Sequence, residues 1–211
     1  MKKQSFVKTK TSPKTLPIQK KKKRVGLLGG GFNPVHMGHL IMADQVFDQL
    51  CLDECYLMPT FKSPHVDEKR VIEASDRVEM LKLAVETHEH LGIELTEINR
   101  EGKSYTYDTI SYLKEIHPDV DYYFIIGADM VEYLPKWYNI DELVDMVQFV
   151  AVKRNGHTEK SPYPLIWVDA PLIDISSSMI RKKISKNSSI KYLLPDNVVD
   201  YIHKKGLYGY E

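Results

Sequence analysis

Two histidines three residues apart, His36 and His39, follow a run of three glycines, Gly29, Gly30 and Gly31. Between them lie Phe32-Asn33-Pro34-Val35, and Gly38 immediately precedes the second histidine. Residues at i and i+3 share one face of a helix, so two imidazoles at this spacing can point the same way. A helix N-terminus offers unpaired N–H groups and a partial positive charge, and both attract phosphate. Imidazoles placed there can donate hydrogen bonds to charge developing on a phosphorus centre. Glycine at position 38 would let a ligand approach the backbone closely. The segment is not the dinucleotide fingerprint G-x-G-x-x-G, because Pro34 takes the last position and no acid ends the second strand. It lacks the G-K-[ST] of a phosphate loop as well.

The elements that must hold these residues alternate along the chain. Arg24–Leu28 reads as a buried strand meeting the glycine turn, and Met37–Leu50 carries apolar residues at helical spacing. Glu54–Met58 reads as a strand closed by Pro59, followed by a polar loop over Thr60–Lys69. Ser75 is a candidate N-cap for a helix through His88. Ile93–Ile98 alternates like a strand, Tyr107–Ile116 like a helix stopped by Pro118. Tyr122–Ile126 is the strongest strand, and Gln148–Val152 and Leu165–Val168 are two more. Ser176–Lys186 and Asp196–Lys205 close the chain as helices. Such alternation implies an α/β fold: a Rossmann-like, doubly wound, mostly parallel sheet with helices on both faces. Ligands in such folds sit beyond the carboxyl ends of the strands, where the strand order reverses.

With that context, Gly30–His39 resembles the H-x-G-H signature of the nucleotidyltransferase superfamily that includes class I aminoacyl-tRNA synthetases. Ile175-Ser176-Ser177-Ser178-Met179-Ile180-Arg181 resembles the I-S-S-T-x-I-R signature of its adenylyltransferase branch, with serine keeping the hydroxyl at position 178. The marks between them resemble the bacterial nicotinate-nucleotide adenylyltransferases: Pro59 with Lys62, Pro64 and His65; Ser104-Tyr105-Thr106-Tyr107-Asp108-Thr109; Gly127-Ala128-Asp129; and Trp137-Tyr138. The resemblance runs over Arg24–Tyr208.

It implies attack of a mononucleotide phosphate, that of nicotinate mononucleotide, on the α-phosphorus of ATP, with release of pyrophosphate on the route to NAD. The nucleophile is already an anion, so positioning and charge stabilisation carry the catalysis and no general base is needed. His36, His39, Lys62 and Arg181 are then the catalytic group. Gly30, Gly31, Phe32, Gly127, Asp129, Arg154, Ser177 and Ser178 join His36, His39 and Arg181 around ATP. Asn33, Lys62, His65, Tyr105, Thr106, Trp137 and Tyr138 fall to nicotinate mononucleotide. Plainer readings stand beside several of these. Lys62 can also be read as a solvated loop lysine, Asp129 and Ser176–Ser178 as helix caps, and Trp137 as a core or interface aromatic. Mg²⁺ is implied as an ion carried by ATP, and no carboxylate cluster calls for a dedicated metal site.

Composition narrows the class. The chain has 211 residues, and 43% of them are hydrophobic, enough for one well-buried core. No apolar run is long enough to span a membrane, and no secretory signal follows the N-terminal basic stretch. Cys51 and Cys55 look like half a zinc site with no second half, which points to buried or half-buried thiols in a reducing cytoplasm. Residues 1–24 hold ten Lys or Arg and no acid, leaving nineteen bases against twenty-nine acids in the rest. An acidic body is a poor nucleic-acid binder. Residues 1–22 therefore read as a disordered basic extension, and 23–211 as one nucleotidyltransferase domain with no nucleic-acid or membrane partner; a homo-oligomer stays open. The rival readings are an adenylyltransferase for nicotinamide mononucleotide or phosphopantetheine, a cytidylyltransferase for small alcohol phosphates, and a non-catalytic nucleotide sensor tethered to nucleic acid. A class I synthetase would need tRNA-binding domains for which there is no room.

Overall fold

Apolar alternation in two central strands sets the architecture of the computed structural model, which describes residues 21–63, 71–153, 160–171 and 173–209. β1 (Lys23–Gly30) sends Val25 and Leu27 into one core and Leu28 into another. β4 (Val120–Gly127) sends Tyr122, Phe124 and Ile126 to the first side and Ile125 to the second. A strand whose two faces are both apolar must be covered on both, and connecting helices supply the cover.

With β2 (Glu54–Pro59), β3 (Leu91–Ile93), β5 (Gln148–Val152) and β6 (Ile166–Val168), the strands form one six-stranded sheet in the order β3-β2-β1-β4-β5-β6. Every pairing is parallel. The order reverses between β1 and β4, so Gly30 and Gly127 flank the switch point at the carboxyl edge.

One face is covered by α1 (Met37–Gln49), α2 (Ala74–Val85), α7 (Ser177–Ile184) and α8 (Asp196–Lys205). Leu40 and Val46 of α1 and Ile180 and Ile184 of α7 are buried there. Burying side chains of this size contributes about 1.5–3 kcal/mol each. The other face carries α4 (Thr106–Ile116), α5 (Ala128–Val131) and α6 (Ile140–Met146), with Ile110, Leu113, Val131 and Leu143 buried against the sheet.

Three expectations change. The strand over Ile93–Ile98 ends at Ile93, and Thr96–Arg100 is a short helix, α3. The Glu94 carboxylate accepts from Thr96 N–H at 2.9 Å and Thr96 O–H at 2.7 Å, so a side chain turns the backbone out of the sheet. α2 starts one residue before Ser75, with Glu73 at the N-cap, and ends at Val85 rather than His88. The stretch 128–147 holds α5, a 3-10 turn at Leu134–Lys136 and α6, which the residue pattern does not reveal. Cys51 is exposed and Cys55 buried, and burial pushes the Cys55 thiol up to about 12, which disfavours the thiolate a metal would need.

Candidate active site

At the switch point a cleft of about 1570 Å³ opens, enough for two nucleotides side by side. The end of β1, the loop after β2, the start of α4, the residues after β4 and the start of α7 all contribute to its wall.

The glycine turn forms one end. Gly31 is exposed, and a side chain there would meet nothing within 4 Å, so its outer side is open to a ligand. Phe32 follows with φ of 45°, a left-handed conformation costly for an aromatic residue, and its ring is 1% exposed. Burial of that ring holds the strained turn in place. His36 is the N-cap of α1, and its ring stacks on His39 with centroids 3.6 Å apart. The backbone N–H of His36 donates to Nδ1 of His39 at 3.2 Å, which leaves Nε2 of a neutral His39 ring as the proton-bearing nitrogen. The two imidazoles do share a face, as the spacing requires, but only His39 reaches the cleft wall; His36 is 4% exposed behind it. Gly38 serves the protein more than the ligand, because a Cβ there would sit 3.1 Å from the His36 ring.

α7 meets the same turn. The Ser176 hydroxyl caps the helix, accepting from Met179 N–H at 3.2 Å. The Ser177 hydroxyl donates to the Pro34 carbonyl at 2.9 Å. Arg181 donates to the Asn33 carbonyl at 2.7 Å and to the Ser178 hydroxyl at 3.1 Å. Asn33 is 8% exposed, and its side-chain oxygen accepts from the Tyr208 hydroxyl at 2.9 Å. Thus Gly30, Gly31, Phe32, Asn33, His39, Ser177, Ser178 and Arg181 come together as one end of the cleft. Gly127 ends β4 as the N-cap of α5, and the Asp129 carboxylate folds back over it, so a side chain at position 127 would collide with that carboxylate.

The other end is aromatic and more open. Tyr105 is the N-cap of α4 and Thr106 its first residue. Tyr105 and Tyr138 rings lie 5.0 Å apart, and Tyr138 is 51% exposed. Trp137 lines the cleft but also packs edge-on against Phe124 at 5.8 Å and Phe149 at 6.0 Å. This tryptophan is thus both part of the cleft wall and part of an aromatic cluster beneath it. Lys62 is exposed, and its backbone bridges Lys103, with Ser104 N–H donating to the Lys62 carbonyl at 2.9 Å. His65 and Arg154 lie outside the described residues.

Three residues at the site escape the sequence reading. Arg77 is 1% exposed and donates to the carbonyls of Gly31 at 2.9 Å, Thr60 at 2.7 Å and Phe61 at 3.3 Å. Its place on the stripe Arg77, Met80, Leu81, Ala84, all buried, is the signal that marks it: a cation on the apolar face of a helix. Glu97 is 2% exposed; it accepts from the Thr109 hydroxyl at 3.0 Å, and burial pushes its carboxyl above the usual range. Tyr208 has its phenol raised by burial, against the opposing pull of Arg181 and Arg77. Among the described residues no group of three or more His, Cys, Asp or Glu side chains could hold a metal ion, and no helix is long and apolar enough to cross a membrane.

A parallel sheet with a glycine turn, a histidine-bearing helix start and an arginine-bearing helix start at its switch point is the frame of a nucleotidyltransferase. A family profile described as cytidylyltransferase-like matches residues 27–183, and the chain belongs to that family. Proteins of Enterococcus faecalis and Lactococcus lactis, each named "Probable nicotinate-nucleotide adenylyltransferase", are 59% and 58% identical to it over 187 residues. Those alignments span 89% of this chain, with 85% of the first relative and 96% of the second. Within the wider class, then, the chain is a member of the nicotinate-nucleotide adenylyltransferases. A solved structure titled Plasmodium falciparum nicotinic acid mononucleotide adenylyltransferase complexed with NaAD superposes with a TM-score of 0.76. It covers 90% of this chain and 98% of that one at 22% identity, a likeness of fold.

Proposed function

We propose that the chain transfers AMP from ATP to nicotinate mononucleotide, giving nicotinate adenine dinucleotide and pyrophosphate, with ATP at the glycine-turn end and the mononucleotide at the aromatic end. The observation that carries this reading is the meeting of His39, the glycine turn and the Arg181 end of α7 beside a second helix start, Tyr105–Thr106. The first set offers donors and cationic groups to a polyphosphate. The second offers free backbone N–H groups to a carboxylate.

His39 donates through Nε2 to the phosphates, and His36 holds its ring by stacking. Arg181, Ser177 and Ser178 receive the departing pyrophosphate. Asp129 and Gly127 face the nucleotide sugar or phosphates, and Arg154, which lies outside the described residues, is assigned to ATP from the family resemblance alone. Lys62 reaches between the two substrates' phosphates, Asn33 stands at the junction, and Tyr138 and Trp137 line the mononucleotide side, to which His65, outside the described residues, is assigned from the family resemblance alone. ATP would enter as its Mg²⁺ complex: the ion would offset polyphosphate charge and, with water and phosphate as its ligands, would need little from the protein. Residues 23–211 act as one cytoplasmic catalytic domain, and residues 1–22 take no part in the chemistry.

The test is pyrophosphate release with ATP, Mg²⁺ and each of three acceptors: nicotinate mononucleotide, nicotinamide mononucleotide and phosphopantetheine. The reading expects the first to dominate. Faster release with either of the others would replace the acceptor, and release with none would remove the enzyme.

A further inference from the structure

Arg77 is a buried cation with no carboxylate partner among the described residues; burial works against its charge, and the groups that favour it are the Tyr208 phenol, itself neutral at ordinary pH, and the exposed Glu73. A charged side chain on a helix's apolar stripe is ordinarily paired with an acid, because a lone buried charge is costly. Here three backbone carbonyls receive the guanidinium, and its Nε is buried with no hydrogen-bond partner. Carbonyl dipoles satisfy N–H groups but leave the net charge standing.

The three carbonyls belong to two different parts of the site. Gly31 is in the turn at the ATP end, and Thr60 and Phe61 precede Lys62 in the loop after β2. That loop is in turn tied to the acceptor side, since Phe61 N–H donates to the Ser104 hydroxyl at 2.9 Å. One further bond, Thr60 N–H to the Gly30 carbonyl at 3.0 Å, runs directly between turn and loop. Arg77 thus sits at the node through which the two ends are held in register.

We infer that Arg77 is a positioning residue for adenylyl transfer: its guanidinium locks the ATP-binding turn to the loop that carries Lys62, and the anionic substrates balance its charge. The inference rests on the function proposed above and adds to it a residue that touches neither reacting atom. In-line attack depends on alignment, and a misplacement of roughly 1 Å costs on the order of 10²-fold in rate. The buried charge also raises the potential at the cleft wall, where phosphate will lie.

Two variants separate the parts. Arg77→Lys keeps the charge but cannot span three carbonyls, and it should lower kcat by about 10²-fold while leaving KM for ATP within a few-fold. Arg77→Met loses both, and should add a rise of about tenfold or more in KM for ATP. Melting temperatures and active-site titration report the folded fraction. A folded Arg77→Lys protein with wild-type kcat per active site overturns the inference, as does a loss that follows only the folded fraction. Hydrogen exchange on the wild-type protein decides the matter even if both variants unfold. A non-hydrolysable ATP analogue alone should slow exchange at both 30–32 and 60–62, and slowing confined to the glycine turn overturns it. Failure of the functional reading looks different: the wild-type protein would then release no pyrophosphate.

Discussion

At the glycine-turn end of the cleft, proposed to take ATP, segments far apart in sequence converge on one short turn: α2 holds Gly31, α7 holds Asn33 and Pro34, and the residues after α8 hold the Asn33 side chain. At the aromatic end, Tyr138 is 51% exposed and leans on Tyr105, and the Lys62 side chain is exposed on a loop whose backbone bridges Lys103. The first end is built to be rigid before a ligand arrives, as stabilising charge on a reacting phosphorus requires. The second carries large amphipathic surfaces that tolerate adjustment, as recognition of a planar ring requires.

The sharpest way to break this contrast is at the two histidines. His39→Ala should lower kcat by about 10²–10³-fold with little change in KM, the loss of one transition-state donor. His36→Ala should cost less, because His36 acts through the stacked ring. Equal effects in steady-state kinetics would show that both imidazoles touch substrate. Arg181→Lys comes next: the ammonium cannot hold Asn33 and Ser178 together, and kcat/KM should fall by about tenfold or more. Full activity would place Arg181 outside the chemistry. At the acceptor end the expected discrimination is of binding, not of rate. kcat/KM should favour nicotinate over nicotinamide mononucleotide by roughly ten- to a hundredfold, since donors that satisfy a carboxylate leave an amide NH₂ unpaired. Parity would mean that the helix start at Thr106 does not read the ring substituent.

The smallest effect concerns Glu97 and stability. Its carboxyl is held above the ordinary value of 4.5 by burial, opposed by hydrogen bonds from Ser104 and Thr109. A raised acid contributes stability that is fully present below 4.5 and lost as pH climbs through the raised value. Glu97→Gln, which copies the neutral form, should match the wild-type melting temperature in acid and exceed it by a small margin in mild alkali. A variant less stable at high pH would show that the ionised carboxylate is the form the fold prefers.

The two ends also differ in how far the sequence discloses them. His39 and Arg181 are legible because helix periodicity and strand-end glycines are local signals, and the structure places both at the switch point. The alternation of strands is legible for the same reason. Arg77 is visible only as an oddity on an apolar stripe, since its acceptors are carbonyls 16 to 46 residues away and a carbonyl has no letter in the sequence. Trp137 reads both as a stacking platform and as a core aromatic, and the sequence cannot show that Phe124 and Phe149 lie beside it at the cleft wall. α3 hides because Glu94 caps Thr96 through its side chain, overriding an alternating pattern. The roles of His65 and Arg154 fall outside the described residues.

The hydrogen bond between Tyr208 and Asn33 closes a loop of 175 residues. Contacts of such sequence separation must offset the entropy of closing their loops before they add any stabilisation. They are also among the first to be released when a terminus frays. The turn that would cradle ATP is thus completed by residues from the far end of the described chain. Under mild denaturant, nucleotide binding should therefore disappear while the sheet's amide protons still resist exchange.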